Sequence, residues 1–182
     1  MKIRQLITGH DPSGRSVFLH EHHCEPKEAQ FMPGFQSYEL WSTNVETTLP
    51  HEARLPEVPH YFPSIGGSVF RIISFPPQLN GQTLLNTSSE AIDELRQKFP
   101  GLLDHLELDN PGMHTTDSVD YGLVLQGEIT LELDRGEQRR LNAGDCVVQN
   151  GTRHAWHNRS TQPAIVAFIL VGVPRSTPSD SE

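Results

Sequence analysis

The segment GMHTTDSVDYGLVLQGE, residues 112–128, places a histidine and two carboxylates ahead of an apolar run that a glycine closes. Side chains along a strand alternate between its two faces. A strand that turns His114 inward therefore also turns Thr116, Ser118, Asp120, Gly122 and Val124 inward, and leaves Val119, Tyr121, Leu123 and Leu125 on the other side. The outward face is then apolar, while the inward one carries polar groups and ends on Val124. Such a strand needs cover outside as well as inside, from the amino-terminal strands, a helix stripe or a second subunit.

Working downstream, strand signals recur at short intervals: EITLELD, a turn at DRGE, then QRRLN, CVVQ, HAWHN and the run 164–171. Short strands separated by turn residues predict a sandwich or small barrel. Upstream, RQLIT, RSVFLH, FQSYELWST and SVFRIISF read as further strands, the first two joined through GHDPSGR, where Pro12 presets φ and Gly14 is free to take a positive one. Between the halves, SSEAIDELRQKF is a helix with Ser88 or Ser89 as cap, an apolar stripe at Ile92, Leu95 and Phe99, and a stop at Pro100-Gly101. LLDHLELDNPG offers a second short turn. The division expected is one domain over 1–174, with a strand extension at 1–86, a helical segment at 88–108 and a barrel core at 112–173; the Pro/Ser-rich tail 175–182 is expected to be disordered.

Composition excludes several classes. With 23 acidic and 14 basic residues the formal charge is −9, which repels nucleic acid and anionic membranes alike. The longest apolar run, 164–173, is about half the ~20 residues of a membrane helix. No export leader is recognisable at the start, and two distant cysteines, Cys24 and Cys146, make no disulfide framework, so a cytoplasmic protein is expected. G-x-S-x-G, phosphate-loop and C-x-x-C patterns are absent.

HTTDSVDYGLVLQGE followed by AGDCVVQNGTRHAWHN resembles the two motifs of the cupin superfamily, written H-x-H-x(3,4)-E-x(6)-G and G-x(5)-P-x-G-x-x-H-x(3)-N. His114 matches the first histidine, Thr116 stands where the second belongs, Asp120 replaces the glutamate and Gly127 closes the motif. In the second motif Gly144, Gly151, His154 and Asn158 match, Gln149 stands where proline is usual, and the spacing from Gly144 is one residue short. The resemblance implies a mainly β cupin jelly-roll barrel with additional N-terminal strands and one or two short helices. It also implies one divalent metal ion on His114, Asp120 and His154, the two-imidazole, one-carboxylate set that suits Fe(II), with Mn, Ni and Zn as alternatives. The competing reading is a decayed site in which His and Asp satisfy one another.

Thr116, Gly122 and Trp156 are expected to line the substrate pocket, Gly122 because a strand glycine often marks the approach of a ligand. Asp117 is a further catalytic candidate if the strand bends, and His157 is expected to be structural. The cluster at His20, Glu21, His22 and His23 is expected to be a solvated strand end. The expected function is a metal-dependent enzyme acting on a small aromatic, polyketide-like or carboxylic-acid substrate, with oxidoreductase chemistry favoured over lyase or isomerase chemistry. A non-catalytic ligand-binding barrel is the other class, and a homodimer is expected.

Overall fold

The computed structural model describes residues 1–50, 60–78 and 85–176. Its strands are β1 Ile3–His10, β2 Ser16–Cys24, β3 Gln36–Thr43, β4 Ser68–Phe75, β5 Ser118–Gln126, β6 Glu128–Glu132, β7 Gln138–Asn142, β8 Cys146–Asn150, β9 Ala155–His157 and β10 Ala164–Gly172. The helix α1, Ser89–Lys98, interrupts them, and a 3-10 turn at Asp134–Gly136 joins β6 to β7. A five-stranded antiparallel sheet, β3-β4-β10-β5-β8, faces a three-stranded one, β7-β6-β9, and β1-β2 form a separate hairpin. This is the mainly β barrel expected from the sequence.

The alternation in 112–128 holds along its length. Thr116, Ser118, Asp120, Gly122 and Val124 are buried, while Asp117, Tyr121, Leu123 and Leu125 are exposed. Val124 meets Ile129 from β6 and Val166, Phe168 and Leu170 from β10 in the core between the sheets. β10 sits centrally, paired with β4 on one side and β5 on the other, which is why its sequence is apolar at nearly every position. Gly127 takes φ +76°, and a Cβ there would lie 2.9 Å from the carbonyl oxygen of Pro163. The tight β5–β6 turn therefore requires glycine.

The expected outer cover is partly supplied by the hairpin. Ile3 and Cys24 pack onto Tyr38, Leu40, Ile72 and Ile165 of the five-stranded sheet. Beyond its reach, Phe70, Ile169, Tyr121 and Val148 lie side by side across β4, β10, β5 and β8 and remain 37–53% exposed. The helix works elsewhere. Ser88 caps it by accepting from the Ala91 amide, and its buried Ala91 and Leu95 pack with Phe99 against Phe31, Tyr61 and Leu102 at one end of the barrel. The segment 100–112 contains turns and no helix, so α1 is the only α-helix among the described residues.

Cys24 and Cys146 are both free thiols. Among the described residues no helix is long and apolar enough to cross a membrane. Of the tail 175–182, residues 177–182 lie outside the described residues.

Candidate functional site

Two sequence-distant segments are stitched together at the barrel's interior by one isolated antiparallel bridge. The amides of His114 and His154 each donate to the other's carbonyl at 3.0 Å. Directly paired residues project to the same face, and the two imidazoles lie with ring centroids 4.2 Å apart. Each ring is also anchored two residues back: His114 Nδ1 is 3.0 Å from the Gly112 carbonyl oxygen and His154 Nδ1 2.9 Å from that of Thr152. A carbonyl only accepts, so both Nδ1 atoms carry hydrogen, and in the neutral rings both Nε2 atoms present lone pairs.

The rings border a cavity of about 370 Å³ within the barrel. Its walls are largely apolar, built from Phe35, Phe62, Phe75, Trp156 and Phe168, with Leu102 and Leu106 closing one side from the turn segment after α1. Its polar lining comes from His114, His154, Asp120 and Arg71 together with Gln78 and Asn158. Burial holds both histidines below the ordinary imidazole range, His154 at about 3 with its neighbour His114 adding to the effect. Burial lifts Asp120 to about 6, against the opposing pull of the Ser118 hydroxyl and the Arg71 charge. At neutral pH the pair is uncharged and Asp120 is ionised; as the pH falls, Asp120 takes up its proton well before His154.

Arg71 is the residue that sequence reasoning missed. It comes from β4, is only 1% exposed, stacks 3.6 Å over the Tyr61 ring, donates to the Tyr61 carbonyl and pairs with the buried Glu39 carboxylate at 3.2 Å. Glu39 and Arg71 are cross-strand partners on β3 and β4. The signal was present: an arginine at an inward position within SVFRIISF has no place in a purely apolar core.

The proposed ligand set comes together only in part. His114, His154 and Asp120 border one cavity, yet among the described residues no group of three or more His, Cys, Asp or Glu side chains is placed to hold a metal ion. The Asp120 carboxylate is engaged by the Ser118 hydroxyl at 2.6 Å, and that hydroxyl lies 3.0 Å from Thr116 Oγ1. As placed, the donors amount to an imidazole pair, which does not fit the three-ligand set.

Among the pocket candidates, Trp156 lines the cavity, whereas Thr116 and Gly122 do not. Thr116 is spent on the Ser118 contact. A Cβ on Gly122 would lie 3.0 Å from Val147 Cγ1 and 3.3 Å from the Phe168 ring, so this glycine makes room for core side chains rather than for a ligand. Asp117 is outside the cavity altogether, paired at 2.5 Å with Arg175 at the end of the domain. His157 points to Glu132 at 2.9 Å, in keeping with a structural role. On β2, Glu21 pairs with Arg4 across the hairpin. Asn158 is a turn scaffold: its amide donates to the carbonyls of Phe75 and Gln162, and its oxygen accepts from Ser160.

The family match and the relatives in sequence agree with this architecture. Residues 108–171 match the family described as "Cupin domain". The chain is 34% identical over 165 residues to "Phomopsin biosynthesis cluster protein D" of Diaporthe leptostromiformis, covering 86% of this chain and 70% of that protein. It is 31% identical over 183 residues to the "Cupin-domain-containing oxidoreductase fogC" of Aspergillus ruber, covering 93% and 72%. Among solved structures, the Schizosaccharomyces pombe Cnp3 cupin domain superposes with a TM-score of 0.48 at 8% identity, over 94% of this chain and 89% of that one.

Proposed function

Since this chain belongs to the cupin family, we propose that it is a small-molecule enzyme of the oxidoreductase type, which holds an apolar organic substrate in the barrel with its oxygen-bearing end at His114, His154 and Asp120. The observation that carries this reading is the pairing of two carbonyl-anchored imidazoles on the lining of an aromatic-walled cavity. The relatives named as cupin-domain-containing oxidoreductases support the reaction class, the relatives named for biosynthesis clusters fit a small-molecule substrate, and the aromatic walls of the cavity favour an aromatic, polyketide-like or carboxylic-acid one.

Each group has a definable task. The aromatic walls bury the substrate body and exclude water. An Nε2 lone pair accepts a hydrogen bond or a proton from the substrate, and Asp120, poised at about 6, exchanges a proton with it near neutral pH. The test is untargeted mass spectrometry of apolar metabolite extracts incubated aerobically with the protein. At least one compound should be consumed by wild type and spared by His154→Ala and Asp120→Asn. Equal consumption by all three would remove these residues from the chemistry.

Metal dependence is the second reading, with Fe(II) ahead of Mn, Ni and Zn. One observation favours it: both Nδ1 atoms are tied to carbonyls, the outer contact usual for metal-ligating histidines. It requires Asp120 to leave Ser118. Near-stoichiometric metal that vanishes in His114→Ala would support it, and no uptake from anaerobically added salts would reject it.

A further inference from the structure

Three of the polar side chains on the cavity lining have already used the hydrogens they could offer or accept from within the protein. His114 and His154 have already spent their Nδ1 hydrogens on the Gly112 and Thr152 carbonyls, and Asp120 already receives the Ser118 hydroxyl. What these three side chains turn toward a ligand is acceptor capacity: two Nε2 lone pairs and carboxylate oxygen. Charging both rings would convert the nitrogens to donors, but two imidazolium ions with centroids 4.2 Å apart in an apolar enclosure repel strongly. Arg71 adds a donor to the same lining: its terminal nitrogen serves the Tyr61 carbonyl and Glu39 and its plane stacks on the Tyr61 ring, while its buried Nε has no hydrogen-bond partner among the described residues; a donor there leaves the two imidazole lone pairs still in need of a hydrogen.

A ligand whose polar end only accepts, such as an ether or an ester, would leave those acceptors facing one another's lone pairs. A ligand bringing an O–H would satisfy them. The surrounding walls add a second constraint. Phe62 lies nearly parallel to the His114 ring, 30° between planes at 6.3 Å, while Trp156 meets His154 edge-on at 6.1 Å. Flat, π-rich surfaces next to the acceptors suit a flat unsaturated body.

Building on the reading of the cavity as a substrate site, we propose that its ligand class is a hydroxylated planar molecule, a phenol or an enol, whose O–H donates directly to Nε2 of the His114–His154 pair. The hydroxyl must lie on or beside the ring system, since aromatic rings flank both imidazoles, Phe62 beside His114 and Trp156 beside His154. Methylating that oxygen would abolish the donor and keep the body.

The experiment compares 2-naphthol with 2-methoxynaphthalene and 2-ethylnaphthalene, by fluorescence titration of chelator-treated full-length protein at pH 7.5. The expected result is that 2-naphthol binds at least about tenfold more tightly than either analogue. In His114→Phe and His154→Phe that preference should fall to within about twofold, while 2-ethylnaphthalene binding persists; circular dichroism and melting check that the variants fold. The wild-type ranking decides the matter even if both variants fail to fold. If 2-methoxynaphthalene binds as tightly as 2-naphthol, the hydroxyl inference is overturned and the apolar cavity stands. If 2-naphthol binds only after metal is restored, direct donation to Nε2 is likewise overturned. If none of the three binds, the reading of the cavity as a substrate site fails with it.

Discussion

Replacing Asp120 with asparagine isolates the electrostatic cost of the site. The native carboxyl sits at about 6 against an ordinary value of 3.8, a difference worth about 3 kcal/mol at roughly 1.4 kcal/mol per unit. The folded state binds the proton more tightly than the unfolded chain, so the penalty is absent below the unfolded value. It grows as pH rises between the two values and is complete above about 6. An asparagine oxygen still accepts the Ser118 hydroxyl and carries no charge to desolvate. Asp120→Asn should therefore be more stable than wild type by about 1–3 kcal/mol at pH 8, after allowing for a weaker hydrogen bond, with the advantage shrinking toward zero near pH 4. His154, held at about 3 against 6.5, works in the opposite direction: the unfolded chain takes up its proton first, so stability falls as pH drops below 6.5 by about 1.4 kcal/mol per unit. That loss is common to both proteins and cancels in their difference. Urea unfolding at pH 8, 6.5 and 5 measures it. Parallel stability profiles for the two proteins, or a variant less stable at pH 8, would refute the reasoning.

Leu95→Ala should cost about 2–5 kcal/mol in denaturant unfolding, because Leu95 is fully buried between α1 and the aromatic cluster at the barrel end; a loss below about 1 kcal/mol would mean that this face is not core. Arg71→Met should cost about 3–5 kcal/mol by stranding the buried Glu39 carboxylate, and Arg71→Met with Glu39→Gln should recover a large part of that, whereas additive losses would contradict the pairing. The uncovered row of Phe70, Ile169, Tyr121 and Val148 is expected to be buried by a second copy of the chain. Sedimentation should then give a dimer that Tyr121→Lys with Ile169→Lys converts to a monomer of unchanged fold, and a concentration-independent wild-type monomer would exclude it.

The barrel was legible because its evidence is local. Period-two alternation across β5, turn residues at 127 and 134–136, and a capped apolar stripe at 88–99 are each written within a dozen residues, and all appear where the sequence puts them. The cavity was less legible because it is assembled from afar. His114 and His154 meet through a bridge spanning forty positions, while Arg71, Tyr61 and Phe62 come from a segment that no periodicity ties to that bridge. Gly122 shows the limit from the other side: a strand glycine marks close approach, but only the register with β8 and β10 reveals that Val147 and Phe168 are what approach. Asp117 lies outward as the alternation of a regular strand puts it, and its partner there, Arg175, fifty-eight residues downstream, is invisible in the local pattern.

The central claim is that the lining of the cavity carries a pair of neutral imidazoles offering Nε2 lone pairs to a bound small molecule. Long-range proton–nitrogen correlation spectra of the histidine side chains test it most directly, recorded at pH 6.5 with and without 2-naphthol and assigned through His114→Phe and His154→Phe. The account predicts two rings in the Nδ1–H form, each with a pyridine-like Nε2, and a marked shift of at least one of those Nε2 signals when 2-naphthol is added. Protonated rings in the free protein, or Nε2 signals that ignore saturating ligand, would contradict it.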